Sequence, residues 1–361
     1  MRITLSKPFI LLFLILAGCR SIGPGVLNND RYNYNLAMNY SSKQELLLNM
    51  VRLRYDDSPM ALKIGNISGS TRITNNASLS GTTNFPAPGR TNGALQNATG
   101  FEYSDNPIIS YTPLDSKGFT VQFLTSMDLH DIGLLLQSSW SIPRVFRITL
   151  QQAGSAMNAP SAARATSSHQ PQYQAFIDMV YVLRRLQLAD AFIVFYTHNN
   201  GNEELTLSID KRFKFTQREK HILAKAGIEV YNHAITFTNT PKPHQVYVVT
   251  RSMLGILNYL SKGLDVPTDD IKKKVVTLTE DKNGGIFDWQ KVLRGMMKIY
   301  WSKTNPGDQA LVTVPYRGRW YYIKDTDNDS KQTLMLLSNI SGLIEATPPG
   351  SELPPTLSRT I

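Results

Sequence analysis

Acidic side chains that could bind a metal ion occur at alternate positions in one segment. Asp325, Asp327 and Asp329 are two residues apart, which is the spacing of the first three ligands of a calcium-binding loop. Such a loop also needs a bidentate Glu at its twelfth position and usually has Gly at its sixth, where this chain has Leu336 and Ser330. We therefore predict no metal site here. Instead of a calcium loop, we expect a polar turn in which Asp329 or Ser330 caps the final helix.

Established catalytic motifs are missing from the sequence. It has no GxSxG, Walker A, HExxH or CxxC segment. The six histidines are scattered, and only His130 is next to a carboxylate, that of Asp131. Neighbouring residues on a helix point about 100° apart, so this adjacency is weak evidence for catalysis. We expect that the protein is not an enzyme and has no cofactor. A less favoured alternative is a periplasmic hydrolase whose site is assembled from residues distant in the sequence.

Arginines and aromatic residues alternate near the C-terminus. The segment Tyr316–Tyr322 reads YRGRWYY, and its Arg317, Arg319 and Trp320 could stack on sugars or contact an acidic partner. The alternative is an amphipathic strand whose aromatic residues lie in the core, and the pattern favours this reading.

The N-terminus has the features of an export signal. Arg2 and Lys7 are followed by the apolar run Phe9–Leu16 and then by Ala17 and Gly18, an order typical of a secretory signal peptide. The run is shorter than the roughly 20 residues that a membrane-spanning helix needs.

The only cysteine of the chain, Cys19, directly follows this segment. Leu16–Cys19 (LAGC) resembles the lipobox of bacterial lipoproteins. The resemblance implies cleavage between Gly18 and Cys19 and attachment of lipid to the Cys19 thiol. Arg20, in place of Asp, favours the outer membrane, with the body of the protein in the periplasm. The alternative is an ordinary signal peptide or an N-terminal helix with an incidental cysteine.

Composition describes the body of the protein. Of 361 residues, 42% are hydrophobic and 18% charged, as in globular proteins. With a single cysteine the chain cannot form an intramolecular disulfide, so its core must be large enough to be stable without one. The net charge of +10 becomes +8 without Arg2 and Lys7. This charge could face anionic lipid, cell-wall carboxylates or an acidic partner, but the basic residues are spread along the chain, which favours an ordinary soluble surface. The compartment argues against nucleic acid.

The pattern along the chain predicts an α+β fold with mixed antiparallel sheets and packing helices. Its predicted parts are a signal peptide (1–18), a tether (19–30), an α+β domain (31–152) with a polar hairpin or loop at 65–100, a linker (153–171), a second α+β domain (172–345) and a disordered tail (346–361).

The first predicted helix starts at Ser42, where the sequence matches a capping box. The other predicted helices are two short ones near 119–124 and 129–136, followed by 173–188, 216–226, 252–261, 287–300 and 331–345. The predicted strands are 107–112, 145–150, 191–196, 204–209, 245–250, 275–279 and 310–323.

Several segments together resemble a family of uncharacterised proteobacterial outer-membrane lipoproteins. They read YNYN (32–35), QELLLNMVRLRY (44–55), ISYTPL (109–114) and RSMLGILNYL (251–260). The resemblance implies the same localisation and a shared architecture, but no mechanism, and only Cys19 can be assigned a role from it.

These observations favour a lipid-anchored, non-enzymatic scaffold or binding component of an envelope assembly, for secretion or transport. The main alternative is a cell-wall lipoprotein that binds peptidoglycan through Arg317, Arg319 and Trp320.

Overall fold

The computed structural model describes residues 22–60, 62–82, 94–113, 117–160, 171–199, 202–346 and 357–360. These residues belong to two compact units. The first consists of Met1–Pro59 and Ser126–Leu343, and the second of Met60–Thr125 and Ile344–Ile361.

The described helices are α1 (Ile22–Arg54), α2 (Lys117–Leu124), α3 (Leu129–Gln137), α4 (Ile142–Thr149), α5 (Gln174–Leu188), α6 (Gln217–Lys225), α7 (Met253–Ser261), α8 (Thr268–Lys272), α9 (Gln290–Leu293) and α10 (Asn328–Ala346). The described strands are β1 (Leu62–Thr82), β2 (Ala94–Pro113), β3 (Leu150–Ala153), β4 (Ala156–Met157), β5 (Phe192–Asn199), β6 (Asn202–Ile209), β7 (Ala234–Thr238), β8 (Val246–Thr250), β9 (Tyr300–Ser302), β10 (Ala310–Tyr316), β11 (Arg319–Lys324) and β12 (Leu357–Thr360).

The first unit contains a six-stranded sheet with the order β4-β3-β8-β7-β6-β5. Its neighbouring strands are antiparallel except β7 and β8, which are parallel. Alternate residues of β6 and β7 are buried, because side chains of a strand point to opposite faces. Helix α4 covers this face, where the rings of Phe146 and Phe237 meet edge to face at 5.3 Å. Helix α3 also packs on it, at Gly133, where a Cβ would lie 3.0 Å from Leu205.

A second sheet of the first unit has the order β10-β11-β9 and is antiparallel. Helix α1 packs beside it, and the Gln44 side-chain amide donates a 3.0 Å hydrogen bond to the carbonyl of Thr313 in β10. Leu47, Met50 and Val51 of this helix are fully buried. The N-terminal helix and the C-terminal sheet of this unit therefore share one core.

The second unit contains a long hairpin. Strands β1 and β2 pair in antiparallel register from Leu62 opposite Pro113 to Thr82 opposite Ala94. Strand β12 pairs with the other edge of β2. The predicted polar hairpin is thus present and longer than expected, while its predicted tip at 86–93 lies outside the described residues.

The α+β class is confirmed. The described elements also confirm the predicted helices near 119–124, 129–136, 173–188, 216–226, 252–261 and 331–345, and the predicted strands at 107–112, 191–196, 204–209, 245–250 and 310–323, the last of which is the β10–β11 hairpin.

The predicted start of the first helix and one predicted strand in the N-terminal half are wrong. Residues 22–30 of the predicted tether belong to α1, which therefore begins long before the predicted start at Ser42. Pro24 is tolerated there because the first turn of a helix has no internal partner for its backbone N–H groups. Residues 145–150, predicted as a strand, lie mostly in α4, which is buried on every side and so lacks a helical pattern of burial. Ser141 caps this helix by accepting from the backbone N–H of Arg144.

Two predictions in the C-terminal half are also wrong. The predicted helix at 287–300 is reduced to α9, because Gly295 adopts a positive φ of 73° that a helix cannot contain. The predicted strand at 275–279 does not form. The carbonyl of Thr277 instead accepts from the Arg54 side chain, and that of Thr279 accepts from the backbone of Phe287.

The predicted domain organisation differs from the observed units. Residues 153 and 156–157 of the predicted linker belong to β3 and β4, which join the same sheet as β8, so the first unit extends across this segment. Residues 161–170 lie outside the described part. In the tail, which is predicted to be disordered, Leu357–Thr360 form β12.

Among the residues that the structure describes, no helix combines the length and the apolar character needed to cross a bilayer.

Candidate functional site

The predicted lipid-attachment site, Cys19, and the preceding Gly18 lie outside the described residues. Cleavage and lipidation therefore stay predictions from the sequence.

The arginines of the aromatic–basic segment have partners within the first unit. Arg317, in the turn between β10 and β11, donates to a carboxylate oxygen of Asp57 at 3.2 Å. Arg319 donates to both carboxylate oxygens of Asp270, at 3.1 and 2.9 Å. Arg317 is exposed, whereas Arg319 and Trp320 are half-buried. Whether these three residues bind a ligand stays a prediction.

Asp270 is the centre of a buried polar network. The Tyr55 hydroxyl donates to Asp270 at 2.6 Å and lies 2.6 Å from the Tyr321 hydroxyl. Because the single proton of Tyr55 goes to Asp270, Tyr321 must donate to Tyr55. Burial, and then the hydrogen bond to Asp270, raise the pKa of Tyr55 far above its ordinary value. The network joins the end of α1 to α8 and β11, as expected of a structural network.

The carboxylates of the calcium-like segment are held apart by different partners. Asp325 pairs with Lys331 at 2.7 Å, and Asp329 pairs with Arg144 at 3.0 Å. Asp327 accepts from the backbone and hydroxyl of Ser330 and so acts as the cap of α10. The predicted turn is confirmed, but its cap is Asp327 and not Asp329 or Ser330. Among the described residues, no three His, Asp or Glu side chains converge on a common point for a metal ion.

Strand β5 ends the six-stranded sheet and exposes apolar side chains. Ile193 is 65% exposed and Phe195 is 51% exposed, and both lie on one face of the strand. The opposite side chain of β6 at each position is small and polar, Ser208 and Thr206. On the outer edge, the carbonyl of Val194 accepts only a long hydrogen bond of 3.4 Å from the Gln137 side chain.

The other face of β5 carries the cluster that contains His130. Its ring packs edge to face on Tyr196 at 5.0 Å and its Nδ1 lies 3.5 Å from Asp131. Glu203 accepts from the Tyr196 hydroxyl at 2.9 Å and from the backbone N–H of Leu129 at 3.1 Å. The cluster therefore fastens the start of α3 to the end strands of the sheet, as a structural connection would.

Two titratable groups of this cluster have raised pKa values. Burial is the largest cause for the carboxyl of Asp131, and the neighbouring Glu203 adds to it. Burial and the hydrogen bond to Glu203 raise the pKa of Tyr196 to about 12. The cluster holds acids and a base, but none of its contacts presents an activated nucleophile of the kind that a hydrolase needs.

The interior of the first unit contains arginines that bind backbone carbonyls. Arg251 donates to the carbonyls of Arg147 at 3.0 Å and Leu150 at 2.7 Å, and also to that of Asn158. Its guanidinium lies 4.1 Å from the ring centre of Tyr259. Burial lowers the pKa of Arg251 to about 10. With several carbonyl partners, this charge serves to join α4, β3 and the start of α7.

Two further cations, Arg54 and Lys262, are mostly buried and have fewer hydrogen bonds than Arg251. Arg54, 5% exposed, donates from Nη1 to the carbonyl of Thr277 at 2.7 Å, while its Nε is buried without a partner. Lys262, at the end of α7, is 8% exposed. Within the described part of the chain, none of the ion pairs joins either cation to a carboxylate.

The charges around Lys262 explain its pKa. Burial, followed by repulsion from Arg54, lowers the pKa of Lys262 to about 8, while Asp56 opposes the shift. The Asp56 carboxylate accepts from the Thr277 hydroxyl at 2.7 Å. Next to Lys262, the backbone of Gly263 approaches the carbonyl of Met297 so closely that a Cβ would lie 2.6 Å from it. The backbone next to Lys262 is therefore tightly packed.

No family model matches this sequence, and no curated protein or solved structure is similar to it at a significant level. The resemblance to outer-membrane lipoproteins accordingly stays a prediction.

Sequence patterns did not identify the exposed face of β5 or the pair of buried cations. The strand was predicted, but its position at the end of the sheet depends on pairing between distant segments. For the cations, the available signal was the position of Arg54 within the apolar helix segment 44–55 and that of Lys262 directly after segment 253–261.

Proposed function

We propose that this protein is a lipid-anchored, non-enzymatic component of an envelope assembly, held at the outer membrane through Cys19, and that it binds a protein partner along β5. The observation that carries the binding role is the exposure of Ile193 and Phe195 on the end strand of the sheet.

The physical argument comes from the properties of end strands. The outer edge of such a strand has unpaired backbone groups, and proteins usually protect it with charge, proline or a covering segment. Ile193 and Phe195 give this edge apolar side chains instead. A partner strand added there would pair with the free backbone groups, and its side chains would cover the apolar pair.

The peptidoglycan alternative finds less support. It would use Arg317, Arg319 and Trp320, yet both arginines already pair with carboxylates of the same unit. Binding an external anion there would first require these pairs to break.

The test is site-specific photocrosslinking in intact cells. A benzophenone amino acid at Ile193 should give crosslinks to a distinct protein, identified by mass spectrometry. The matched control is Met335, which is 55% exposed on α10 and should give none to that protein. A probe at Ile193 that yields only uncrosslinked protein, or the same products as Met335, would contradict binding along β5.

A substitution gives the energetic version of the test. Phe195→Glu places a charge where the partner would pack, and burial of a large apolar side chain contributes about 1.5–3 kcal/mol. We expect at least about a tenfold loss of partner recovery, with Met335→Glu leaving recovery unchanged. Because Phe195 is exposed, the fold should not change, which circular dichroism would verify.

A further inference from the structure

We propose that an exposed basic surface at residues 211–225 binds the anionic face of a phospholipid bilayer, an activity that does not depend on partner binding along β5. This basic surface consists of the loop before α6 and the exposed side of α6. It contains one carboxylate, that of Glu219, and six cations, all of them exposed: Lys211, Arg212, Lys214, Arg218, Lys220 and Lys225.

Most of these cations are not paired with a carboxylate of the protein. Arg212 pairs with Asp210 at 2.6 Å. Within the described part of the chain, none of the ion pairs includes the other five cations of the basic surface. Both carboxylate oxygens of Glu219 accept from Arg185, and Glu219 also belongs to the capping box of α6. These contacts leave five exposed cations available to an external anion.

The local fold turns the cations outward. Phe213 and Phe215 are half-buried, and their rings pack edge to face at 5.1 Å. Lys211 and Lys214, in the same loop, are exposed instead. In α6 the buried residue is Leu223, so the helix contacts the first unit along one side and its cations face solvent. The charges are therefore displayed on a packed scaffold.

Exposed apolar side chains border the basic surface. Arg185 of α5 donates to the carbonyl of Lys214 at 2.9 Å, and its guanidinium lies 4.2 Å from the ring centre of Phe213, so α5 contacts the loop. Tyr181 and Leu188 are four residues before and three residues after Arg185, which places them on the same face of α5. They are 56% and 72% exposed. Near Leu188, the exposed carboxylate of Asp190 opposes the positive charge.

The combination of charge and apolar groups favours a bilayer over an acidic protein. Four of the five cations outside ion pairs are lysines, whose compact, hydrated ammonium groups are attracted to negative charge without a directed partner, whereas arginine is preferred for paired recognition of a carboxylate. Anionic headgroups offer such a surface, and Tyr181 and Leu188 suit its boundary with the acyl chains. A lipid at Cys19 would hold the body near a bilayer, but this proposal does not rest on that lipid.

The experiment measures binding of the full chain to phospholipid vesicles, with Cys19→Ser so that no lipid on the protein contributes. Vesicles of phosphatidylcholine are compared with vesicles of equal parts phosphatidylcholine and phosphatidylglycerol. The chain should bind the anionic vesicles at least about tenfold more tightly, and this preference should disappear at high salt. The apolar run Phe9–Leu16 contributes to both vesicle types, so the ratio of the two affinities is the readout.

Paired substitutions test whether the basic surface is the site. Lys214→Gln combined with Lys220→Gln should lower the affinity for anionic vesicles by at least about tenfold and leave the affinity for neutral vesicles unchanged. The matched control is Lys282→Gln combined with Lys303→Gln, which removes the same charge at two exposed lysines elsewhere in the first unit. The control should lower the affinity by less than about threefold, because these lysines lie outside the surface that meets the bilayer.

A fluorescent label shows which surface meets the bilayer. Because Cys19 is the only cysteine of the chain, Cys19→Ser leaves no thiol, and Leu188→Cys then provides a single position for labelling. An environment-sensitive dye at this position should shift its emission to shorter wavelength on anionic vesicles. A dye at Met335→Cys, on α10 and 55% exposed, should not.

Three results would overturn the proposal: equal affinity for neutral and anionic vesicles, equal losses in the two double variants, or no dye shift at Leu188→Cys. Equal losses would mean that net charge alone causes binding. Capture of a distinct protein by a photocrosslinker at Leu188 in cells, with no binding to vesicles, would assign the surface to an acidic partner and would also overturn bilayer binding. Crosslinking from Ile193 on β5 is a separate measurement, so failure here is distinguishable from failure of the proposed function.

Discussion

Replacing Lys262 with Met should stabilise the first unit, because burial disfavours the charged form of this lysine. The two side chains have similar length, so Met can occupy the space of the apolar stem of the lysine. The change removes the charge of a residue that is only 8% exposed. It also removes the repulsion that Arg54 feels from Lys262.

The magnitude follows from the pKa of Lys262. Its ordinary value is 10.5, and burial together with Arg54 lowers it to about 8 in the folded protein. One pKa unit corresponds to about 1.36 kcal/mol, so holding the charged lysine in the fold costs about 3 kcal/mol at pH 7. Lys262→Met should therefore raise the free energy of unfolding by up to about 3 kcal/mol.

The pH dependence gives the sharper test. Between about pH 8 and 10.5 the unfolded chain holds the proton of Lys262 while the folded chain has released it, so this lysine makes stability rise with pH. The cost of Lys262 is complete below pH 8 and disappears by about pH 10.5. The stability gap between variant and unmodified chain should be constant up to about pH 8 and then close. Arg54 and Asp56, the charged groups that act on Lys262, are present in both proteins.

Urea unfolding measures the gap directly. Lys220→Met, which removes an exposed lysine, should change stability by less than about 0.5 kcal/mol. Two results would refute the reasoning: a Lys262→Met protein that is less stable at pH 7, or a stability gap that stays open at pH 10.5.

Three other changes test the remaining interactions. Asp270→Asn should cost about 3 kcal/mol in urea unfolding, because it removes the buried carboxylate that pairs with Arg319. Asp269→Asn, at an exposed carboxylate 3.8 Å from Arg319, should cost less than about 1 kcal/mol. Equal costs would contradict the role of the buried pair. Arg251→Met should lower the unfolding free energy by at least about 3 kcal/mol, since several buried carbonyls lose their donor, and a neutral result would contradict the carbonyl-binding role. Cys19→Ser should move the protein from the membrane to the soluble fraction on cell fractionation, and membrane retention with unchanged processing would refute the lipid anchor.

The sequence predicted those elements that have one buried face. Helix α5 shows apolar residues at helical spacing, and β6 alternates between buried and half-buried positions. In both, the burial period is the period of the element, so local pattern was sufficient. Gly318 also marks the turn between β10 and β11 in the sequence. Arg317 and Gly318 both have a positive φ there, a conformation that favours glycine.

Elements whose structure depends on distant partners were not predictable in this way. Helix α4 is buried all round, with Arg144 and Arg147 among its buried residues, so its pattern of burial does not show the period of a helix. The segment 275–279 has strand-like composition. However, the carbonyl of Thr277 accepts a hydrogen bond from Arg54 of α1, and the carbonyl of Thr279 accepts one from the backbone N–H of Phe287. The pairing of Gln44 with Thr313 across most of the chain has no local signal at all.

The same limit applies to the candidate sites, because the role of a buried cation depends on what it contacts. Arg251 and Lys262 bracket the apolar segment 252–261, and nothing in their sequence neighbourhood separates them. Among the described residues, the backbone supplies several carbonyls to Arg251, whereas burial of Lys262 lowers its pKa to about 8. Substitution by Met should consequently destabilise the protein at the first position and stabilise it at the second. Opposite signs at these two positions would show that the fold uses Arg251 to satisfy its own backbone, and that Lys262 persists at a cost in stability.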